Sequence, residues 1–253
     1  MSNPTRPTPS QLTRRGVLAA AGAVAAGAAF APPAAAAAAY DVEYVSRAAW
    51  GADEQKRFKA DGAENSPALY CQAQALTVHH TDTANDDPDP AATVRAIYEH
   101  HAVSNDWGDI GYHFLIDESG RIYEGRWSGD DGLPAHDRQG RVVTGFHVEG
   151  FNSGNLGIAL LATLTDRPPT DAAEASLVRL VAAMCRFHGL DPRARMTYTN
   201  PVSKATREVT TLAGHRDWMR TGCPGGTMYS RLPAVREAAA KRATRRRSLI
   251  ADR

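Results

Sequence analysis

The chain has few cysteines for its length, three among 253 residues. That number is too small for a scaffold held together by disulfides. If Cys223 binds a metal, Cys71 and Cys185 remain as one candidate pair in an oxidising environment. Cys185 also lies in an apolar helical segment, where cysteine commonly packs as a small hydrophobic residue. The sequence leaves both interpretations open.

Acidic residues are absent from the first 39 positions, which contain the pair Arg14 and Arg15 followed by an uncharged, alanine-rich run. The run is shorter than the roughly 20 residues that span a bilayer. Small residues suited to cleavage occupy positions 34–39, as is typical of a twin-arginine export signal. We therefore expect residues 1–39 to be a removed signal and the protein to be secreted without a stable membrane anchor. An uncleaved anchor is the alternative.

The chain also lacks a strong net charge, since 29 basic and 28 acidic residues leave +1. Residues 1–39 hold three arginines and no acid, so the remainder carries −2. Residues 236–253 hold seven basic and two acidic residues, which leaves −7 on residues 40–235. An acidic body of this kind argues against nucleic acid as a partner. The basic tail is interpreted as a solvated helix end, with docking on an anionic polymer or membrane surface as the alternative.

No internal repeat and no second long hydrophobic run is present. The part that follows the signal is long enough for one domain with a sizeable core. We expect a single domain over residues 40–235, a basic tail over residues 236–253, and a monomer.

Helical and strand patterns alternate along this domain. Apolar residues recur every three or four positions at residues 90–102 and 170–188, which predicts two amphipathic helices. Strand patterns occupy residues 76–80, 111–117, 121–125 and 156–162. The last is apolar on both faces, which is typical of a strand inside a sheet covered on both sides. The sequence predicts an α/β fold with a central mixed β-sheet flanked by helices.

The residues most suggestive of chemistry are His215 and Cys223, eight positions apart, and the upstream pair His79 and His80. Two imidazoles and one thiolate bind Zn²⁺ and leave a fourth position for water, as in hydrolytic sites. Successive side chains of a regular strand point to opposite faces, so only one of the paired histidines is expected to bind the metal. Parity alone does not choose between them. The pattern predicts a zinc-dependent hydrolase.

Longer motifs accompany these residues. In order, they are SRAAWGA at 46–52, VHHT at 78–81, DIGYHFLID at 109–117, GRIYEGR at 120–126, GFNSGNLGIA at 150–159 and GHRDWMRTGCPG at 214–225. Over residues 44–233 the chain strongly resembles the peptidoglycan recognition protein family. This family comprises the zinc-dependent N-acetylmuramoyl-L-alanine amidases of type 2 and includes phage amidase lysozymes.

The resemblance implies a zinc site in a surface groove, with His79, His215 and Cys223 as the metal ligands. Family members that have lost this cysteine bind the wall polymer without cutting it. Because Cys223 is present, the resemblance favours an enzyme.

The resemblance also assigns roles to other side chains. Tyr112 and Thr221 match positions implicated in catalysis, although phage enzymes have lysine where Thr221 stands. The expected substrate-binding residues are His80, His147, Asn152 and Trp127.

Two departures from the family pattern concern the groove. Trp127 directly follows Arg126, where members commonly have a Gly-Trp pair that reads the third stem-peptide residue. Phe146 precedes His147, where a small residue is usual, so we expect a narrower groove at that point. The specificity for meso-diaminopimelate or lysine in the stem stays open.

The function implied is zinc-dependent hydrolysis of the amide between N-acetylmuramic acid and the L-alanine of the stem peptide, with peptidoglycan of the extracytoplasmic cell wall as the partner. A non-catalytic peptidoglycan-binding module is the alternative. A zinc hydrolase acting on another amide is a third, because metal ligands alone do not define the substrate.

Overall fold

The computed structural model describes residues 42–129 and 133–251. The predicted export signal at residues 1–39 lies outside them. Among the described residues, none of the helices combines the length and apolar character needed to cross a bilayer.

Short strands and helices alternate along these residues. In chain order they are α1 (Arg47–Trp50), β1 (Tyr70–Cys71), β2 (Ala75–His80), α2 (Pro90–Glu99), β3 (Phe114–Ile116), β4 (Ile122–Glu124), β5 (Val142–Val143), β6 (Asn155–Leu160), α3 (Asp171–His188), β7 (Arg195–Thr199), β8 (Thr206–Thr210), β9 (Leu212–Gly214), α4 (His215–Trp218) and α5 (Gly226–Ala251). A 3₁₀ turn at Glu54–Arg57 and a π-helical segment at His100–Ser104 complete them.

Five strands form the central sheet, in the order β4-β3-β6-β2-β9. Strand β4 is antiparallel to β3, and the other neighbours are parallel. Every residue of β6 is buried. The predicted mixed sheet is confirmed, as is the central place of the strand that is apolar on both faces.

Helices cover both faces of this sheet. On one face, Leu177 of α3 and Leu232 of α5 share the larger core cluster with Leu76 of β2. On the other face, Trp50 of α1 packs in a second cluster with Leu115 of β3. Burial of each such side chain contributes about 1.5–3 kcal/mol to folding. These two apolar layers, one on each face of the sheet, confirm the predicted α/β class.

Local signals set the ends of the longest predicted helix, α3. The hydroxyl of Thr170 accepts a 3.1 Å hydrogen bond from the N–H of Ala173 and so caps the first turn. Gly189 ends the helix in the left-handed conformation, with φ of 69°. The helix predicted over residues 170–188 is therefore confirmed.

Helix α2 ends earlier than its pattern predicts. The α-helical turns stop at Glu99, and the chain continues as the wider π-helical segment. There the Nδ1 atom of His101 accepts a 3.0 Å hydrogen bond from the N–H of Gly111. This long-range contact brings His101 beside Tyr112, with ring centroids 5.4 Å apart. The local hydrophobic periodicity does not predict it.

The strand predicted over residues 111–117 is also shorter, because the carbonyl of Gly111 accepts from the N–H of Phe146 outside the central sheet. The two short pairs β1–β5 and β7–β8 lie outside the predicted strands.

Cys71 and Cys185 are both free thiols in the structure, and Cys185 is buried in the larger core cluster. Helix α5 continues without a break past residue 235, the predicted end of the domain. Ala239, which belongs to the predicted basic tail, packs in the larger core cluster.

Candidate metal centre

Three of the predicted site residues meet at one end of the sheet. His79 is near the end of β2, and His215 opens α4 directly after β9. These strands are parallel neighbours in which Val78 is opposite Gly214, so the two imidazoles lie side by side with centroids 4.6 Å apart. Cys223 follows in the next loop. One ligand atom from each of the three residues lies within 4.8 Å of the others.

The loop that carries Cys223 packs closely on its neighbours. A Cβ atom at Gly214 would lie 2.9 Å from Cδ2 of Tyr229 and 3.1 Å from Cδ of Pro224. Glycine at this position therefore lets the loop and α5 close on His215. Within the loop, the hydroxyl of Thr221 accepts a 3.3 Å hydrogen bond from the N–H of Cys223.

Burial keeps both imidazoles neutral. Desolvation, followed by repulsion from His147 and His215, lowers the pKa of His79 well below its usual range. Desolvation lowers the pKa of His215 to about 4. The neutral imidazole is the form that binds a metal ion.

The donor set fits Zn²⁺. Among the described residues, Nε2 of His215 is buried and has no hydrogen-bond partner, which is rare for a buried ring nitrogen. Sγ of Cys223 lies 3.6 Å from Nδ1 of His79. Burial raises the pKa of this thiol to about 12, so a thiolate at neutral pH requires a cation beside it. Two nitrogen donors and one sulfur donor that converge in this way are typical zinc ligands.

His80 lies outside this donor set. Its Nδ1 atom accepts a 3.1 Å hydrogen bond from the N–H of Leu164. The side chain therefore points away from His79, as strand parity requires. Its predicted contact with substrate stays a prediction.

Tyr112 stands beside the donor set, with its ring centroid 5.2 Å from that of His79. Burial, followed by the charge of Cys223, raises the pKa of the phenol. Tyr112 is therefore a protonated hydrogen-bond donor at neutral pH.

His147 and Asn152 are both predicted from the sequence to contact substrate. His147 is only 7% exposed, and its Nδ1 atom lies 3.0 Å from Nε2 of His79. The side-chain oxygen of Asn152 accepts from the backbone N–H groups of His147 and Val148, at 2.8 and 2.7 Å. The structure thus places His147 behind the candidate metal ligand His79, and Asn152 accepts hydrogen bonds from the backbone of His147 and Val148.

Trp127 is held by a buried ionic network. Its backbone N–H donates to Asp109 at 2.9 Å, and that carboxylate also pairs with Arg47 and Arg126, each at 3.0 Å. The guanidinium carbon of Arg57 lies 3.8 Å from the centroid of the Trp127 ring. A cation therefore covers the indole that is predicted to contact substrate.

Sequence reasoning missed two residues of the site. The side chain of Arg216 donates to backbone carbonyls of the loop that carries Cys223. In the sequence, only its position directly after His215 could have indicated this role. The backbone carbonyl of Asn155 accepts a hydrogen bond from His147. Because every residue has a backbone carbonyl, the residue type does not predict this contact.

Fold and donor set together define the class, an α/β protein with a candidate mononuclear zinc site. Residues 70–226 match the model of the family described as N-acetylmuramoyl-L-alanine amidase. The match covers more than half of the chain, and the chain belongs to this family.

Known proteins agree with this assignment. Human N-acetylmuramoyl-L-alanine amidase is 30% identical over 161 residues, 62% of this chain and 23% of that protein. Human peptidoglycan recognition protein 3 is 32% identical over 187 residues, 74% of this chain and 44% of that protein. This chain thus spans less than half the length of either relative. A solved structure of a Drosophila PGRP-LB variant in complex with tracheal cytotoxin has the same fold, with a TM-score of 0.54 and 24% identity, covering 76% of this chain and 93% of that one.

Proposed function

We propose that this protein is a zinc-dependent N-acetylmuramoyl-L-alanine amidase. It would hydrolyse the amide between N-acetylmuramic acid and the L-alanine of the peptidoglycan stem peptide. The observation that carries the proposal is the complete donor set of His79, His215 and Cys223 with Tyr112 beside it. Membership of the amidase family supports the choice of substrate.

His79, His215 and Cys223 would hold the Zn²⁺ ion, which would lower the pKa of a bound water to about 7 and polarise an amide carbonyl. Tyr112 contributes a protonated phenol, which donates a hydrogen bond to the oxyanion that forms during attack. The hydroxyl of Thr221 accepts from the Cys223 loop and so keeps its own hydrogen for the attacking water or the amide. Threonine brings no positive charge. Tyr112 is therefore the main oxyanion donor that the chain contributes.

The alternative is a peptidoglycan-binding module without turnover. It is supported by the similarity to human peptidoglycan recognition protein 3 and to a structure that holds tracheal cytotoxin. We favour the enzyme because His79, His215 and Cys223 are all present and converge. Hydrolysis of a different amide is the third candidate function.

We also propose that the protein acts outside the cell, in the wall, after export by the twin-arginine pathway. The support is the sequence of residues 1–39 alone. Export of a folded chain would allow zinc to be bound before translocation.

The test is an assay of purified protein on purified peptidoglycan, with and without a zinc chelator. Release of new N-terminal alanine that the chelator abolishes, without new reducing sugar ends, is the expected result. Sedimentation with the polymer without any release supports the binding module. Activity on unrelated amides with none on peptidoglycan supports the third function.

A further inference from the structure

A chain of hydrogen bonds leads from the central sheet to His79. The carbonyl oxygen of Asn155, the first residue of β6, lies 2.9 Å from Nε2 of His147. Nδ1 of His147 lies 3.0 Å from Nε2 of His79. The remaining ring nitrogen, Nδ1 of His79, is the atom that faces Sγ of Cys223.

The positions of the hydrogens follow from this order. A carbonyl oxygen only accepts, so Nε2 of His147 carries a hydrogen. A hydrogen on the Nδ1 atom as well would make His147 a buried cation beside the metal centre, which burial disfavours. That Nδ1 atom is therefore an acceptor, and Nε2 of His79 is the donor to it. Neutral His79 is left with a lone pair on Nδ1, pointing at Cys223.

We propose that His147 is a positioning residue. Held by the carbonyl of Asn155, it fixes the tautomer and ring plane of His79 so that Nδ1 is the metal-binding atom. The partner of a ligand imidazole commonly orients the ring and raises its affinity for metal. The inference rests on the proposed zinc site but needs no hydrolytic activity.

The fold provides a closely fitting slot for this ring. A Cβ atom at Gly157 would lie 2.6–2.8 Å from three atoms of the His147 ring, and one at Gly145 would lie 3.1 Å from its Cδ2. The side-chain oxygen of Asn152 also accepts a hydrogen bond from the backbone N–H of His147. With two glycines against its ring and Asn152 on its backbone, His147 has little freedom to turn away from His79.

His113 offers a matched control. It is fully buried beside His147, with ring centroids 5.5 Å apart. Its ring nitrogens bond only to backbone groups, the N–H of Gly157 and the carbonyl of Val143. A substitution there disturbs a buried histidine of the same region without touching a metal ligand.

The direct test is nitrogen NMR of imidazoles in the full-length, metal-free protein labelled with ¹⁵N-histidine, with signals assigned from single variants. His79 and His147 should both carry hydrogen on Nε2. A hydrogen on Nδ1 of His79, or a mixture of the two tautomers, overturns the proposal.

The second test is zinc affinity by competition with a chromogenic chelator. His147→Leu removes the acceptor and should weaken binding about 10–100-fold, whereas His147→Asn keeps an oxygen near the Nδ1 position and should stay within about threefold of the native protein. His113→Asn should bind like the native protein. Native affinity in His147→Leu, or an equal loss in His147→Leu and His147→Asn, or an equal loss in His147→Leu and His113→Asn, contradicts the inference.

The two proposals fail separately. Correct tautomers and zinc affinity without release of alanine remove the amidase function and leave the role of His147 intact. If the variants do not fold, as judged by circular dichroism, the tautomers of the native protein decide.

Discussion

The backbone N–H of Arg216 donates a 3.1 Å hydrogen bond to the carbonyl of Cys223 and so joins α4 to the loop that carries the thiol. The guanidinium of Arg216 also donates to the carbonyl of Gly222 and lies over the ring of Tyr229, 4.7 Å from its centroid. One side chain therefore holds the thiol-bearing loop against the helix that begins with His215.

Arg216→Met should loosen this loop and lower zinc affinity about tenfold, because the thiol is then less well oriented toward the two imidazoles. Arg220→Met is the matched control, since Arg220 is an exposed cation of the same loop. Chelator competition compares the two variants. Equal affinities would show that the Arg216 side chain does not position the thiol.

Cys223→Ser should abolish release of alanine from peptidoglycan while leaving the fold and sedimentation with the polymer largely in place. The reason is the loss of the one sulfur donor of the set. Cys71→Ser, which alters a half-buried thiol of β1, should keep full activity. Full turnover in Cys223→Ser would falsify the zinc assignment.

His79→Ala should eliminate zinc binding, whereas His80→Ala should reduce activity far less. His80 bonds to the backbone of Leu164 and takes no part in the converging donor set. Loss of that bond is expected to cost about 1–3 kcal/mol of stability. Isothermal titration with zinc separates the two variants, and the reverse ranking would make His80 the ligand.

Acid should destabilise the fold through its buried histidines. His136 and His188 share a hydrogen bond between their Nε2 atoms at 2.9 Å. Burial lowers the pKa of His136 to about 4 and, together with repulsion from His136, that of His188 to about 3. Both lie below the unfolded value of about 6.5, so the unfolded chain binds protons first as the pH falls. The stabilisation from neutral His136 and His188 is complete above about pH 6.5 and is lost as the pH falls to about 4 for His136 and about 3 for His188.

Urea unfolding at pH 7.5 and pH 5 measures this effect. His136 alone should account for about 2 kcal/mol of the decrease in unfolding free energy. His136→Gln should therefore show a smaller decrease between the two pH values than the native protein. Substitution of the exposed His100 by glutamine should change the decrease far less than His136→Gln does. A native protein equally stable at both pH values would contradict the effect of burial.

Regular periodicity made part of the fold predictable. The apolar stripe and end signals of α3 are local, and so is the two-sided apolar pattern of β6. Strands β7 and β8 were missed because only Tyr198 and Val209 of their residues are buried, which leaves little alternation to detect. The π-helical end of α2 was missed because His101 takes its partner from the distant Gly111.

The sequence by itself determined the chemistry of the site, since imidazole and thiolate donors are properties of residue type and their motifs can be read along the chain. It also determined, through strand parity, that only one of His79 and His80 faces the candidate metal centre. The tertiary structure decided the rest. The register of β2 on β9 brings His79 to His215, and the carbonyl of Asn155 selects the nitrogen of His79 that faces Cys223. Register and backbone acceptors arise only when distant segments pair, so no residue type specifies them.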